Sequence, residues 1–305
     1  MTANPLEPLY MLAFDHRASL VKMFGPNGGT QNGRVVDFAE LKGIIFDALF
    51  ASLAELGLDP SDVGILVDEE FGAAIAARAK EAGIILAMPA EKSLEPIFQL
   101  EYGDDFAAHI ERFDPDQVKV LLIHNSGYAP EDDALQLSRL RALSDWLKPR
   151  RQRFMIELLV HPSEEELASV GGDRARFMSE LMPGLMLGAI RRCQDAGIDA
   201  DVWKVEGLET TAQYAAVAEL ARSGGRDHVE CIILGAGAPD AVVAEWLRAA
   251  APVRAFTGFA IGRSTWQDAL AGYMDGSLTR EAAVAAIAEQ FGRWVRLYED
   301  ARAAA

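Results

Sequence analysis

Apolar residues in this chain fall into short runs separated by longer segments of helical periodicity. The runs lie near 10–15, 63–68, 84–88, 117–123, 154–160, 201–206, 230–235 and 255–261. Each is short enough for a strand and is bounded by polar, Gly or Pro residues, as expected of strands buried on both faces. Between them, amphipathic segments predict helices near 35–56, 73–81, 106–113, 131–146, 176–196, 211–221 and 240–250, with terminal helices near 264–272 and 280–304. Eight strands alternating with helices predict an α/β protein with a parallel sheet, and the count of eight favours one closed (β/α)8 TIM barrel over residues 1–305. A doubly wound open sheet is the structural alternative, but the first turn has no G-x-G-x-x-G phosphate loop.

Composition narrows the function. With 46 acidic against 29 basic residues the net charge is -17, which argues against a nucleic-acid partner. The segment Met1-Thr-Ala-Asn-Pro-Leu-Glu7 lacks the cationic and apolar regions of a secretory leader, and no apolar run is long enough to span a bilayer, so a cytoplasmic protein with no membrane partner is expected. Cys193 and Cys231 have no metal-ligand spacing. Trp246, Trp266, Trp294 and Tyr298 lie on late helices, where packing on the barrel is favoured over a partner subunit, and a homo-oligomer stays open.

Charged residues inside the strand runs change the picture most. In Asp201-Val-Trp-Lys-Val-Glu-Gly207, alternation places Val202, Lys204 and Glu206 on one face and Trp203 and Val205 on the other. An isolated charge there is costly unless it is paired or changes its ionisation. Asp15, Lys119 and Glu157 occupy comparable positions in the first, fourth and fifth runs, and two of the chain's seven lysines therefore sit in strands. A structural ion pair is the competing reading of any one pair. A set spread over four strands favours function, because barrel interiors are normally filled by branched aliphatics. The set suits Schiff-base chemistry. An amine must be neutral to attack a ketone, burial and a neighbouring cation such as Lys119 favour the neutral form, and Glu157 is placed for proton transfer.

The last two strands carry glycines. Leu234-Gly-Ala-Gly-Ala-Pro239 follows the seventh run, and Gly258-Phe-Ala-Ile-Gly-Arg-Ser264 leads from the eighth into a helix. Loops at these two places often hold phosphate, through backbone N–H groups and a helix N-terminus, with Arg263 as a clamp.

Taken together, Leu12-Ala-Phe-Asp-His-Arg17, Val67-Asp-Glu-Glu-Phe-Gly72, Val118-Lys-Val-Leu-Leu122, Ile156-Glu157, Trp203-Lys-Val-Glu206 and Gly258-Phe-Ala-Ile-Gly-Arg-Ser-Thr-Trp266 resemble the class I aldolases of the tagatose-bisphosphate aldolase-like group. Within it they most resemble the aldolase domain fused to 5-dehydro-2-deoxygluconokinase in inositol catabolism. The resemblance spans nearly the whole chain. It implies a Schiff base on Lys204, Glu157 as proton shuttle, Lys119 and Asp15 around the reacting hydroxyls, and Gly262 with Arg263 on the phosphate. It also implies cleavage of 2-deoxy-5-keto-gluconate 6-phosphate to dihydroxyacetone phosphate and malonate semialdehyde, with no cofactor or metal. Where the tagatose-bisphosphate group has a serine near the end of strand seven, this chain has Gly235-Ala236, which leaves the backbone of Gly235, Ala236 and Gly237 for phosphate. Tagatose-bisphosphate and sulfofructose-phosphate are the alternative substrates. Arg17 and His124, with Asn125, are the candidate readers of the end of the sugar remote from the phosphate. No kinase domain accompanies these motifs, so any kinase is expected on a separate chain.

Two rivals are weighed against this reading. His16, His124 and His161 fall just past strand ends and, with Glu69, Glu70 and Glu206, suggest a metal-dependent aldolase, although no H-x-H or H-E-x-x-H pair is present. A non-catalytic sugar-phosphate sensor would keep Arg263 and the glycines but would have no need of the acid/base set.

Overall fold

The computed structural model describes residues 8–93 and 95–305; the leader reading of Met1–Glu7 lies outside them. The barrel strands are β1 (Leu9–Ala13), β2 (Val63–Leu66), β3 (Ile85–Pro89), β4 (Gln117–His124), β5 (Arg153–Val160), β6 (Val202–Val205), β7 (Glu230–Leu234) and β8 (Phe256–Ile261). They pair in parallel and in sequence, and β8 closes on β1 through Leu9 opposite Gly258 to Leu12 opposite Ile261. A closed ring of parallel strands leaves no unpaired edge.

The interior is narrow and apolar below the site: Leu9, Met11, Ala13, Leu66, Ala87, Met155, Val202, Ile232 and Ala260 form one buried cluster. Outward-facing residues of the same strands join a larger core with the helices. This is the period-two alternation of a strand buried on both sides. Several strands stop short of the polar residues that end their apolar runs. β1 ends at Ala13 and β6 at Val205, so Asp15 and Glu206 stand just past the ladder, at the C-terminal mouth.

Most helices occupy the segments whose periodicity predicts them, among them Phe106–Phe113 and Asp240–Ala250. The segment near 176–196 is not one α-helix: a π-helical turn, Phe177–Leu181, precedes Met182–Asp195. Pro183 has no N–H for the α ladder, and the wider turn accommodates the lost bond. Short helices Ala18–Phe24 and Glu164–Ser169 and a small hairpin of Thr30–Gln31 with Arg34–Val35 lie in segments with too little periodicity to predict them.

Trp266, Trp294 and Tyr298 are fully buried within the chain. The Trp266 indole donates to the Ala13 carbonyl at 2.9 Å and the Tyr298 hydroxyl to that of Phe256 at 2.7 Å, which pins the terminal helices Arg263–Asp275 and Arg280–Ala303 to β1 and β8. Among the described residues no helix is long and apolar enough to cross a membrane.

Candidate active site

The C-terminal mouth encloses a cavity of about 500 Å³ whose walls include Asp15, His16, Arg17, Glu91, Lys119, Glu157, Lys204, Glu206, Gly235–Gly237, Gly262 and Arg263. Register explains the central contact. Glu157 on β5 is the direct partner of Lys204 on β6, so their inward side chains meet at one level. Glu157 Oε1 lies 2.8 Å from Lys204 Nζ, and its Oε2 lies 2.9 Å from Lys119 Nζ. Asp15 Oδ2 at 3.0 Å and Glu91 Oε1 at 2.7 Å complete the shell around Lys119. Two amines thus share one carboxylate, and Lys119 holds two more.

Ionisation follows from this crowding. Burial disfavours the charged form of Lys119, but Asp15, Glu157 and Glu91 outweigh it and hold the ammonium well above its ordinary range. Burial likewise opposes charge on Asp15 and Glu157; for both, Lys119 and Lys204 prevail, with His16 adding to the effect at Asp15, and both carboxyls sit below the usual range. Burial wins at Glu91, where Asp15 adds repulsion and the carboxyl is raised. Burial and the nearby Glu157 push Glu206 up to about 7, although Glu206 accepts the Val160 N–H at 2.7 Å. Burial, then Arg263 and Lys204, lower His16 to about 4, against the pull of Asp15.

The glycine loops converge on the same cavity. Gly237 takes a left-handed φ of 69°, and the Arg263 guanidinium packs over it, donating through Nη2 to the Ala236 carbonyl at 3.1 Å. A Cβ at Gly262 would lie 2.5 Å from the Ala13 carbonyl oxygen, so the backbone leads into the helix Arg263–Asp275 at a place only glycine fits. Backbone N–H groups, a helix start and a guanidinium in one wall suit a phosphate.

One expectation is corrected. His124 is not brought to the cavity: it is five residues from Lys119 on β4, so alternation places it with Val118, Val120 and Leu122 on the helix-facing side, where Arg192 and Glu166 influence it. Arg17 does line the mouth, but its guanidinium is engaged with Glu101 at 3.2 Å and with the Glu91 carbonyl at 2.9 Å.

The candidate metal ligands disperse. His16, His161 and Glu206 line the cavity, whereas Glu69 pairs with His109 and Tyr102 and, with Glu70, lines an outer cleft. Among the described residues, no three His, Cys, Asp or Glu side chains are grouped to hold an ion.

Glu91 and Lys42 are among the buried charges that escape sequence reasoning. Glu91 lies beyond β3 in an irregular connection, yet Ile85, Ala87, Pro89 and Glu91 share one parity, a signal that marks it as inward. Lys42, on the helix Phe38–Leu56, is fully buried, pairs with Asp68 and donates to the Phe14 carbonyl at 2.9 Å. A lysine in an amphipathic helix gives no sign of facing inward.

Fold and site define a (β/α)8 barrel with two lysines and three carboxyl groups clustered in its C-terminal mouth. The chain belongs to the family described as "Uncharacterized protein conserved in bacteria (DUF2090)", whose sequence model matches residues 2–302. None of the curated proteins matches the sequence. Among solved structures it is similar to Cgl0159 from Corynebacterium glutamicum, with 18% identity and a TM-score of 0.60 over 95% of this chain and 85% of that one. It is also similar to the fructose-bisphosphate aldolase of Plasmodium falciparum, solved in complex with TRAP and a small-molecule inhibitor, with 13% identity, a TM-score of 0.63 and coverage of 96% and 91%. The fructose-bisphosphate aldolase of Slackia heliotrinireducens matches with 14% identity, a TM-score of 0.54 and coverage of 93% and 86%. At these identities the likeness shows the fold.

Proposed function

We propose that this protein is a class I, lysine-dependent aldolase that cleaves a phosphorylated keto sugar or sugar acid through a Schiff base on Lys204. The observation that carries the reading is the carboxylate of Glu157 shared between Lys204 and Lys119, in the same cavity as the Arg263 and glycine cradle. Structural likeness to fructose-bisphosphate aldolases adds support.

The phosphate is held by the backbone of Gly235, Ala236, Gly237 and Gly262 and by Arg263, which brings the substrate carbonyl to Lys204. Glu157 Oε1, at 2.8 Å, takes a proton from the Lys204 ammonium, and the neutral Nζ adds to the carbonyl carbon. The same carboxyl returns a proton to the carbinolamine hydroxyl, which leaves as water and gives the iminium. Asp15 and Lys119 hold the hydroxyl on the far side of the bond to be broken. As that hydroxyl gives its proton to the Glu157 carboxylate it becomes an aldehyde, and the electron pair of the carbon–carbon bond moves into the iminium to give an enamine, which the same carboxyl then protonates at carbon. Protonation of the enamine and hydrolysis release dihydroxyacetone phosphate and free Lys204.

The best candidate substrate is 2-deoxy-5-keto-gluconate 6-phosphate, with malonate semialdehyde as the second product; tagatose-bisphosphate and sulfofructose-phosphate belong in the same assay. Borohydride reduction in the presence of dihydroxyacetone phosphate tests the mechanism. A covalent adduct on Lys204 is expected. An unlabelled protein that cleaves the sugar and is inhibited by chelator would replace the mechanism with a metal-dependent one, and binding without cleavage of any ketose phosphate would make the protein a sensor.

A further inference from the structure

Glu91 is the carboxyl of the cluster that keeps a buried oxygen with no hydrogen-bond partner among the described residues. Its side chain is 6% exposed, against 12% for Asp15 and 15% for Glu157. Oε1 accepts from Lys119, while Oε2 is buried with no partner among the described residues. The Arg17 guanidinium donates to the Glu91 carbonyl, and Arg17 Nε is likewise buried without an acceptor. Both residues line the cavity. Unmet polar groups of this kind are uncommon in protein interiors, and each calls for a partner.

Position in the ring says which part of a ligand reaches them. The cradle lies at the ends of β7 and β8, and the amine of Lys204 on the adjacent β6. Glu91 follows β3, four strands from β7 and therefore across the mouth from the cradle. A ketose phosphate anchored at the cradle and joined to Lys204 runs from there, past Glu157 and Lys119, toward Glu91.

Charge decides the form in which Glu91 meets it. Asp15, Glu91 and Glu157 surround two amines, and the Arg17 guanidinium beside Glu91 is itself paired with Glu101, so with all these groups ionised the cluster carries one negative charge more than positive in a buried place. A proton on one carboxyl removes it, and the least solvated of the three gains most from neutrality. The raised ionisation range of Glu91, set by burial and by Asp15, agrees.

We infer that Glu91 is a further substrate-contacting residue, a carboxylic acid whose Oε2–H donates to an oxygen on the fragment beyond the bond that breaks. The inference rests on the aldolase reading and adds a specificity element to the same site.

The test compares wild type, Glu91→Ala and Glu91→Gln in two assays: borohydride trapping with dihydroxyacetone phosphate, which lacks the remote fragment, and cleavage of the ketose phosphate that wild type turns over best. Glu91→Ala should lose about tenfold in kcat/KM for cleavage, mostly through KM, as for a contact made equally in ground and transition states, and should lose trapping by a clearly smaller factor. Glu91→Gln, whose amide also donates, should recover most of that loss and should lack the alkaline fall in kcat/KM that wild type shows when Glu91 loses its proton. Glu91→Ala cleaving like wild type, trapping lost in step with cleavage, or Glu91→Gln no better than Glu91→Ala would each overturn the inference and leave Glu91 as a prop for Lys119. Wild type that traps nothing would instead overturn the aldolase reading, and this inference with it.

Discussion

Glu157 and Lys204 are register partners on adjacent strands of a closed barrel, with Oε1 and Nζ 2.8 Å apart. The proposed nucleophile and its proton acceptor therefore hold their distance through the sheet ladder rather than through a loop. Catalytic groups on strand ends are positioned with the rigidity of the barrel itself.

Lys204→Ala should fold, because Glu157 keeps Lys119 as a partner, and should lose cleavage by orders of magnitude. Steady-state release of dihydroxyacetone phosphate, alongside circular dichroism of the variant, measures both. Turnover close to wild type would eliminate the Schiff base.

Lys119→Met removes the ammonium that three carboxylates share. Breaking a buried pair in this way costs on the order of 3–5 kcal/mol, because the carboxylates stay behind. Urea denaturation at neutral pH should show the loss, and the variant should recover part of it in mild acid as the orphaned carboxyls protonate. A variant as stable as wild type at neutral pH would show that Asp15, Glu91 and Glu157 do not depend on Lys119.

Arg263→Ala should raise the concentration of dihydroxyacetone phosphate needed for half-maximal borohydride trapping about tenfold or more, from loss of a charge-assisted contact to the phosphate. Trapping with unphosphorylated dihydroxyacetone should be unchanged. Equal effects on both compounds would remove Arg263 from the phosphate site.

His16 and Glu206 should give opposing pH dependences of stability. His16, lowered by burial to about 4 from 6.5, binds its proton less readily when folded; its contribution is present above about 6.5 and is lost as pH falls through 4. Glu206, raised by burial to about 7 from 4.5, binds its proton more readily when folded, so its contribution is present below 4.5 and is lost as pH rises through 7. Each amounts to about 3 kcal/mol, and over the shared window they cancel. Relative to wild type, His16→Gln should lose stability as pH rises from 4.5 to 6.5, and Glu206→Gln should gain it. Chemical denaturation across that range measures both slopes, and parallel curves for the three proteins would contradict the account.

Local pattern made much of this molecule legible. Eight apolar runs spaced by amphipathic segments admit few architectures, and period-two alternation is a property of the strand backbone that needs no neighbour, so Lys119, Glu157 and Lys204 can be read as inward from their own strands. The same arithmetic carried past the strand ends would have included Glu91 and turned His124 outward. What alternation cannot supply is distance. Ring closure alone brings Asp15 beside Lys119, 104 residues away in the chain, and sets the cradle of β7 and β8 opposite Glu91. Ionisation is likewise a tertiary property: the same carboxyl chemistry yields a lowered Glu157 between two amines and a raised Glu206 facing one backbone N–H, because burial and the count of nearby charges differ. The sequence by itself determined the barrel and the chemical inventory of its mouth; only the closed fold decided which groups meet, since contacts between strands depend on register and closure that no single strand encodes.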